Sequence, residues 1–207
     1  MAIMSIKPVF FLLILTSFIS FVPVHSQEKN VVIRVVQDDR EVLGDFLTTI
    51  KLKKKQFKFQ ILLQHCDGVY VFASIRDSVY RFSENSTIQD FAYLKLLELR
   101  DDDIFNTNKE LTLSETGWSY WFYNSNAEWY PFNRRVSWID TDQVICTKII
   151  KQLYSINEGK LIKLRDVKTP LYLFFLAVSE YDASGKPLKE LMRRKVKIEW
   201  DGDDDGD

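Results

Sequence analysis

Apolar and polar side chains alternate along much of this chain. Phe57, Phe59, Ile61 and Leu63 are interleaved with Lys58, Gln60 and others, the two-residue period of a half-buried strand. Residues 31–36 are a β-branched run stopped by Gln37, Asp38 and Asp39. Residues 48–52 make a short strand that ends in lysines. Residues 69–75, 79–82, 109–113, 118–123 and 134–139 read as further strands. Asp67 and Gly68 stand between two of them, and that pair predicts a hairpin, because a tight primed turn needs positive φ. Residues 160–164 and 171–181 follow as strands, then a turn over 182–187. The last strand sets Met192, Val196, Ile198 and Trp200 on one face.

Two stretches carry a helical signal. Thr87 with Asp90 resembles a capping box, and Ile88, Phe91 and Leu94 fit a helical face. Phe91, Tyr93, Leu97 and Leu99 fit a strand face equally well. Asp140 with Gln143 is a second capping pair, and Ile145, Ile149, Ile150 and Leu153 follow at helical spacing. They predict a helix over 141–155, against the pull of its β-branched content. Many short strands at close spacing predict a mostly β chain: an antiparallel β-sandwich, immunoglobulin- or fibronectin III-like in outline, with one or two short helices. The residues Leu161, Leu164, Thr169-Pro170-Leu171-Tyr172, Phe174, Leu176-Ala177-Val178 and Asp182-Ala183-Ser184-Gly185 resemble the final strands of a fibronectin type III module. That resemblance implies the fold class and no activity.

Residues 1–26 read as a signal peptide. Lys7 supplies the positive start, no acid precedes Glu28, and residues 9–22 are apolar but too short to span a bilayer. Val24 and Ser26 occupy the −3 and −1 positions of a cleavage site, so the cut is expected after Ser26. Export places the protein in the periplasm, at the cell surface or in the medium. With 7 glycines and 5 prolines the chain has no flexible seam, so residues 27–200 form one domain or two closely joined ones. Residues 201–207 carry five aspartates and read as a solvated, disordered acidic tail. The net charge of −1 argues against nucleic acid as a partner. No later apolar run reaches membrane-spanning length.

The chemistry is sparse. His25 leaves with the signal peptide, and His65 alone remains. A His-rich metal site is excluded, a Ser-His-Asp system has a single base to draw on, and no cofactor is expected. His65 and Cys66 are neighbours that point to opposite faces of a strand, so the first cannot activate the second. Cys66 and Cys146 have two readings: a disulfide closing a ~80-residue loop, worth about 4 kcal/mol, or two buried thiols. Asp201, Asp203 and Asp205 match the first half of a calcium loop, without the carboxylate at position twelve. Asn85-Ser86-Thr87 is a glycosylation sequon. Lys51, Lys53, Lys54, Lys55 and Lys58 crowd one strand and turn. They either guard a sheet edge or hold an anionic glycan or headgroup.

The aromatic segment is the strongest functional signal. Trp118, Tyr120, Trp121, Phe122, Tyr123, Trp129, Tyr130, Phe132 and Trp138 lie within 21 residues. They serve a filled core or a ligand. Alternation puts Trp118, Tyr120 and Phe122 on the core face and Ser119, Trp121 and Tyr123 outward. Trp121, Tyr123, Trp129 and Tyr130 are therefore the candidate ligand-binding residues. Residues 171–178 are apolar on both faces and need cover on both, which the 141–155 helix would supply. The expected function is a secreted, non-catalytic binding or structural module that takes carbohydrate or a surface-protein partner. The alternative is a small secreted hydrolase using carboxylates. The enzyme should show a deep pocket with two convergent acids, the binding module a shallow aromatic strip.

Overall fold

A computed structural model describes residues 31–42, 48–80, 86–91, 110–115, 117, 119–124, 129–131, 136–138 and 143–201. The chain is mostly β. Its strands are β1 (Val31–Gln37), β2 (Arg40–Glu41), β3 (Thr49–Leu52), β4 (Phe57–Gln64), β5 (Gly68–Ser74), β6 (Glu110–Leu113), β7 (Ser119–Asn124), β8 (Trp129–Pro131), β9 (Val136–Trp138), β10 (Gln143–Ile150), β11 (Gln152–Ser155), β12 (Lys160–Lys163), β13 (Leu171–Tyr181) and β14 (Pro187–Trp200). A five-stranded sheet has the order β2-β1-β4-β10-β9, a six-stranded sheet β3-β14-β13-β5-β7-β8, and a small third sheet β12-β11-β6.

The two large sheets share one core. Ile33, Val35, Phe57, Phe59, Ile61 and Leu63 face it from the first, and Val69, Val71, Leu171, Leu173, Phe175, Val196 and Ile198 from the second. The period-two pattern therefore does in space what it announces in sequence: β4 alternates buried and half-buried along its whole length. The third sheet bridges the other two. Its strand β11 continues from β10 after the single residue Lys151, and just beyond β6 the Ser114 N–H donates to the Ala73 carbonyl of β5 at 2.9 Å.

Three expectations need correction. Asp67-Gly68 makes no hairpin: β4 and β5 belong to different sheets, and the chain crosses between them there. His65, at φ 48°, supplies the left-handed residue, and the Asp67 N–H donates to the Val178 carbonyl at 2.9 Å. The glycine is needed for closeness instead, because a Cβ at position 68 would stand 2.1 Å from the Tyr181 hydroxyl. Second, the described part of the 141–155 stretch, residues 143–155, is no helix. It forms β10 and β11, with Val144, Cys146, Lys148 and Ile150 buried at alternate positions. Its β-branched residues fit the pleat better than a helix does. Third, Val79 and Tyr80, expected to open a strand over 79–82, belong to a 3-10 turn over Asp77–Tyr80; residues 81 and 82 lie outside the described residues. The pairing is mainly antiparallel, as expected, with β3–β14 and β6–β11 as parallel pairs.

The capping-box reading at Thr87 holds. A short helix, α1 (Ile88–Phe91), starts there, and the Thr87 N–H donates to Asp90 Oδ2 at 2.5 Å. Residues 92–99, the rest of that ambiguous stretch, lie outside the described residues. The double-sided burial of β13 is also real, but the cover differs from the expected one. Phe174, Leu176 and Val178 pack with Phe72, Val79, Tyr80 and Ile88. The 3-10 turn and α1 are thus the second layer, in place of the 141–155 segment.

Candidate functional site

The aromatic segment sits at one margin of the six-stranded sheet. β8 is its outermost strand, and the β7–β8 register sets Phe122 opposite Pro131, Tyr123 opposite Tyr130, and Asn124 opposite Trp129. The backbones of Tyr123, Trp129 and Tyr130 are thereby placed; their side chains lie outside the described residues.

Trp121 does not stand at that surface, and its outward assignment is corrected. It is 3% exposed. Its ring lies 5.1 Å from Phe59 and 5.6 Å from Phe175, edge-on to the first at 65° and to the second at 85°. The face assigned outward has Ser119 as its polar member. Ser119 is itself buried opposite Val71. A small hydroxyl fits a tight sheet interior as well as it fits water, so it marks no face. The β5–β7 register also shifts between Val69 and Tyr70, leaving Trp121 as the extra residue of a bulge, a device that re-aims a side chain.

Lys148 is the neighbour that sequence reasoning missed. It lies on the inner face of β10, opposite Phe59, 4% exposed, with Nζ 5.1 Å from the Trp121 ring centroid. Burial holds its ammonium well below the usual lysine range, while Glu110 pulls the other way. The spacing of Val144, Cys146, Lys148 and Ile150 carried the signal, but a helical reading of the segment hides it.

Cys66 and Cys146 are both buried and both free thiols. Burial pushes each up to about 12, and for Cys146 the neighbouring Cys66 adds to it. The Cys66 thiol donates to the carbonyls of Gly68 at 3.3 Å and Val178 at 3.5 Å. His65 is exposed beside it. Thiols in this state are poor nucleophiles.

A cleft of about 60 Å³ brings two carboxylates to one place, Glu115 and Glu158, with Ser74, Ser114 and Ser155 around them. The space holds a water molecule or two. Glu115 is bound by Arg76 at 3.1 Å, and Glu158 pairs with Lys160. The hydroxyls are engaged in turns: Ser114 Oγ accepts the Gly117 N–H at 3.1 Å, and Ser155 Oγ the Glu158 N–H at 3.4 Å.

Among the described residues, no group of three or more His, Cys, Asp or Glu side chains is placed to hold a metal ion. None of their helices is long and apolar enough to cross a membrane. Asp201 is exposed at the end of β14; Asp203 and Asp205 lie outside the described residues, as do Asn85 and the whole of the 1–26 segment. The lysines gather around β3, which is an edge strand, as the edge-guarding reading requires. No protein-family model, no curated protein and no solved structure matches this chain.

Proposed function

We propose that this chain is an exported, non-catalytic binding module whose ligand surface is the β7–β8 margin. The observation that carries the reading is the register there, with Tyr123 facing Tyr130 across the last two strands and Trp129 next along β8. Directly opposed strand residues stand about 5 Å apart, so Tyr123 and Tyr130 form one cross-strand aromatic pair at the margin, with Trp129 the preceding residue of β8. Such rings offer flat, stiff contact area to a sugar face or to a hot spot on a protein partner. Trp121 supports this surface from below. It ties β7 to the core, and the strip proper is Tyr123, Trp129 and Tyr130.

Export rests on the 1–26 segment. Protein recovered from the medium or periplasm of expressing cells should begin at Gln27 by mass spectrometry; a secreted form that still begins at Met1 refutes the cleavage. Binding is tested with the secreted protein on arrays of glycans and of extracellular domains. A ligand captured by the parent chain and lost in Tyr130→Ala, at an unchanged melting temperature, supports the reading. Capture that survives Tyr130→Ala and Trp129→Ala moves the site elsewhere.

A further inference from the structure

The corner where the chain crosses from β4 to β5 is built around two tyrosines. The hydroxyls of Tyr70, on β5, and Tyr181, at the end of β13, stand 2.9 Å apart in a shared hydrogen bond. Both residues are half-buried and pack against the second layer of Phe72, Val79, Phe174, Leu176 and Val178. Gly68 makes room for the pair, since a Cβ there would lie 2.1 Å from the Tyr181 hydroxyl. The backbone around it is tied on both sides. The Asp67 N–H donates to the Val178 carbonyl at 2.9 Å, and Asp67 Oδ2 accepts the Glu180 N–H at 2.8 Å. Glu180, at φ 62°, and His65, at φ 48°, are held in the left-handed region that favours glycine. Conformations of that kind persist only where the surroundings over-determine them, so the hydroxyl pair has a rigid seat.

The same corner leads to the aromatic margin. Gly68 is in register with Val178 of β13 on one side and with Tyr123 of β7 on the other, and Tyr123 is in register with Tyr130 of β8. One row of positions therefore runs from the place of the Tyr181 hydroxyl to the last strand of the sheet. From Gly68 to Tyr130 it crosses two strand spacings, about 10 Å, which is longer than one sugar ring. Tyr70 is likewise in register with Tyr120 of β7.

On the reading that the β7–β8 margin binds a ligand, we propose that its surface extends inward along this row to the Tyr70–Tyr181 hydroxyl pair, and that the ligand is an oligosaccharide. A sugar presents an apolar C–H face and a rim of hydroxyls. The margin supplies aromatic residues for the face. The pair supplies phenol hydroxyls, each able to donate and to accept, for the rim. A few fixed polar groups beside apolar contact area are what orients a small ligand. A protein hot spot buries its rings away from water, and closely spaced hydroxyls there cost desolvation unless the partner meets them. A sugar meets them with hydroxyls of its own.

The secreted parent, Tyr70→Phe, Tyr181→Phe and the double variant are compared on an array of immobilised oligosaccharides printed beside one of extracellular protein domains, and each capture is titrated. The substitutions keep the rings and remove one hydroxyl each, so the variants should melt within a few degrees of the parent. Either single variant carries the test alone should the other unfold. The parent should capture an oligosaccharide. Each single variant should bind it about tenfold more weakly. The double variant should bind little more weakly than either single, because the two hydroxyls act as one unit. Tyr130→Ala should abolish the capture, as the margin reading requires. Capture of a protein domain alone, lost in Tyr130→Ala and unchanged in both phenylalanine variants, leaves the margin reading standing and overturns this one. An oligosaccharide bound by the double variant with the parent's affinity overturns it too, as does a parent that captures no oligosaccharide. An oligosaccharide lost in Tyr181→Phe and retained in Tyr130→Ala refutes the margin, and the continuous row with it.

Discussion

Lys148 is the residue whose position costs the fold most plainly. A lysine inside a core of Phe59, Phe175 and Trp121 is favoured when neutral, and burial lowers its folded-state pKa well below the ordinary value. The unfolded chain keeps its proton up to about pH 10.4. Between the two pKa values the unfolded state binds more protons, so stability rises with pH through that window. Below the folded pKa the full cost is present. Lys148→Met keeps the bulk and removes the proton. Its melting temperature should climb less steeply than the parent's between about pH 7 and 10, and a variant with the parent's slope contradicts the assignment. Gly68 makes a steric point. Gly68→Ala drives a methyl into the Tyr181 hydroxyl and should cost about 1–3 kcal/mol by denaturant unfolding. Adding Tyr181→Phe should recover most of it. If the double variant is no better than the single, the close contact is not the cause.

At the scale of elements, the turn joining β13 to β14 is the cleanest local unit. Asp182 Oδ1 accepts the Ser184 N–H at 2.8 Å, the Ser184 hydroxyl at 2.6 Å and the Lys186 N–H at 2.9 Å. The Ser184 hydroxyl leads, with the Lys186 N–H behind it, in holding the Asp182 carboxyl below the usual range. A depressed folded pKa stabilises the fold above the unfolded value near 3.9 and ceases to do so as pH falls through the folded one. Asp182→Ala should therefore melt lower than the parent at neutral pH, with the gap narrowing as the pH falls below the ordinary carboxylate range and through the lowered folded value. A gap that persists there contradicts the account. The turn was legible from its Asp-Ala-Ser-Gly-Lys-Pro chemistry, and β13 from a continuous apolar run of strand length. β10 was not, because Ile145, Ile149 and Leu153 satisfy a helical spacing while Val144, Cys146, Lys148 and Ile150 satisfy a strand's. The buried lysine in the second set disguised it. The β4–β5 crossing was misread for a related reason: Asp-Gly describes a local bend, and which sheet the next strand joins is decided by distant partners such as Val178.

For the whole molecule, two sheets close over one core, a third bridges them, and a short turn and helix cover the far side of β13. The sandwich class was visible in the strand count. The cover was foreseen as a need but assigned to the wrong segment, because apolarity on both faces of β13 says that a layer exists and not which residues make it. The candidate site was legible as a concentration of rings, and only the register separates its parts. Trp121 is core, while Tyr123, Trp129 and Tyr130 belong to the margin. That division is the account's central claim, and the most direct measurement pairs the thermal melt of Trp121→Ala with that of Tyr130→Ala, each alongside array binding. Trp121→Ala should lose about 3–5 kcal/mol of stability, and Tyr130→Ala should melt like the parent and lose its ligand. A Trp121→Ala chain that melts normally and binds nothing, or a Tyr130→Ala chain that fails to fold, contradicts it.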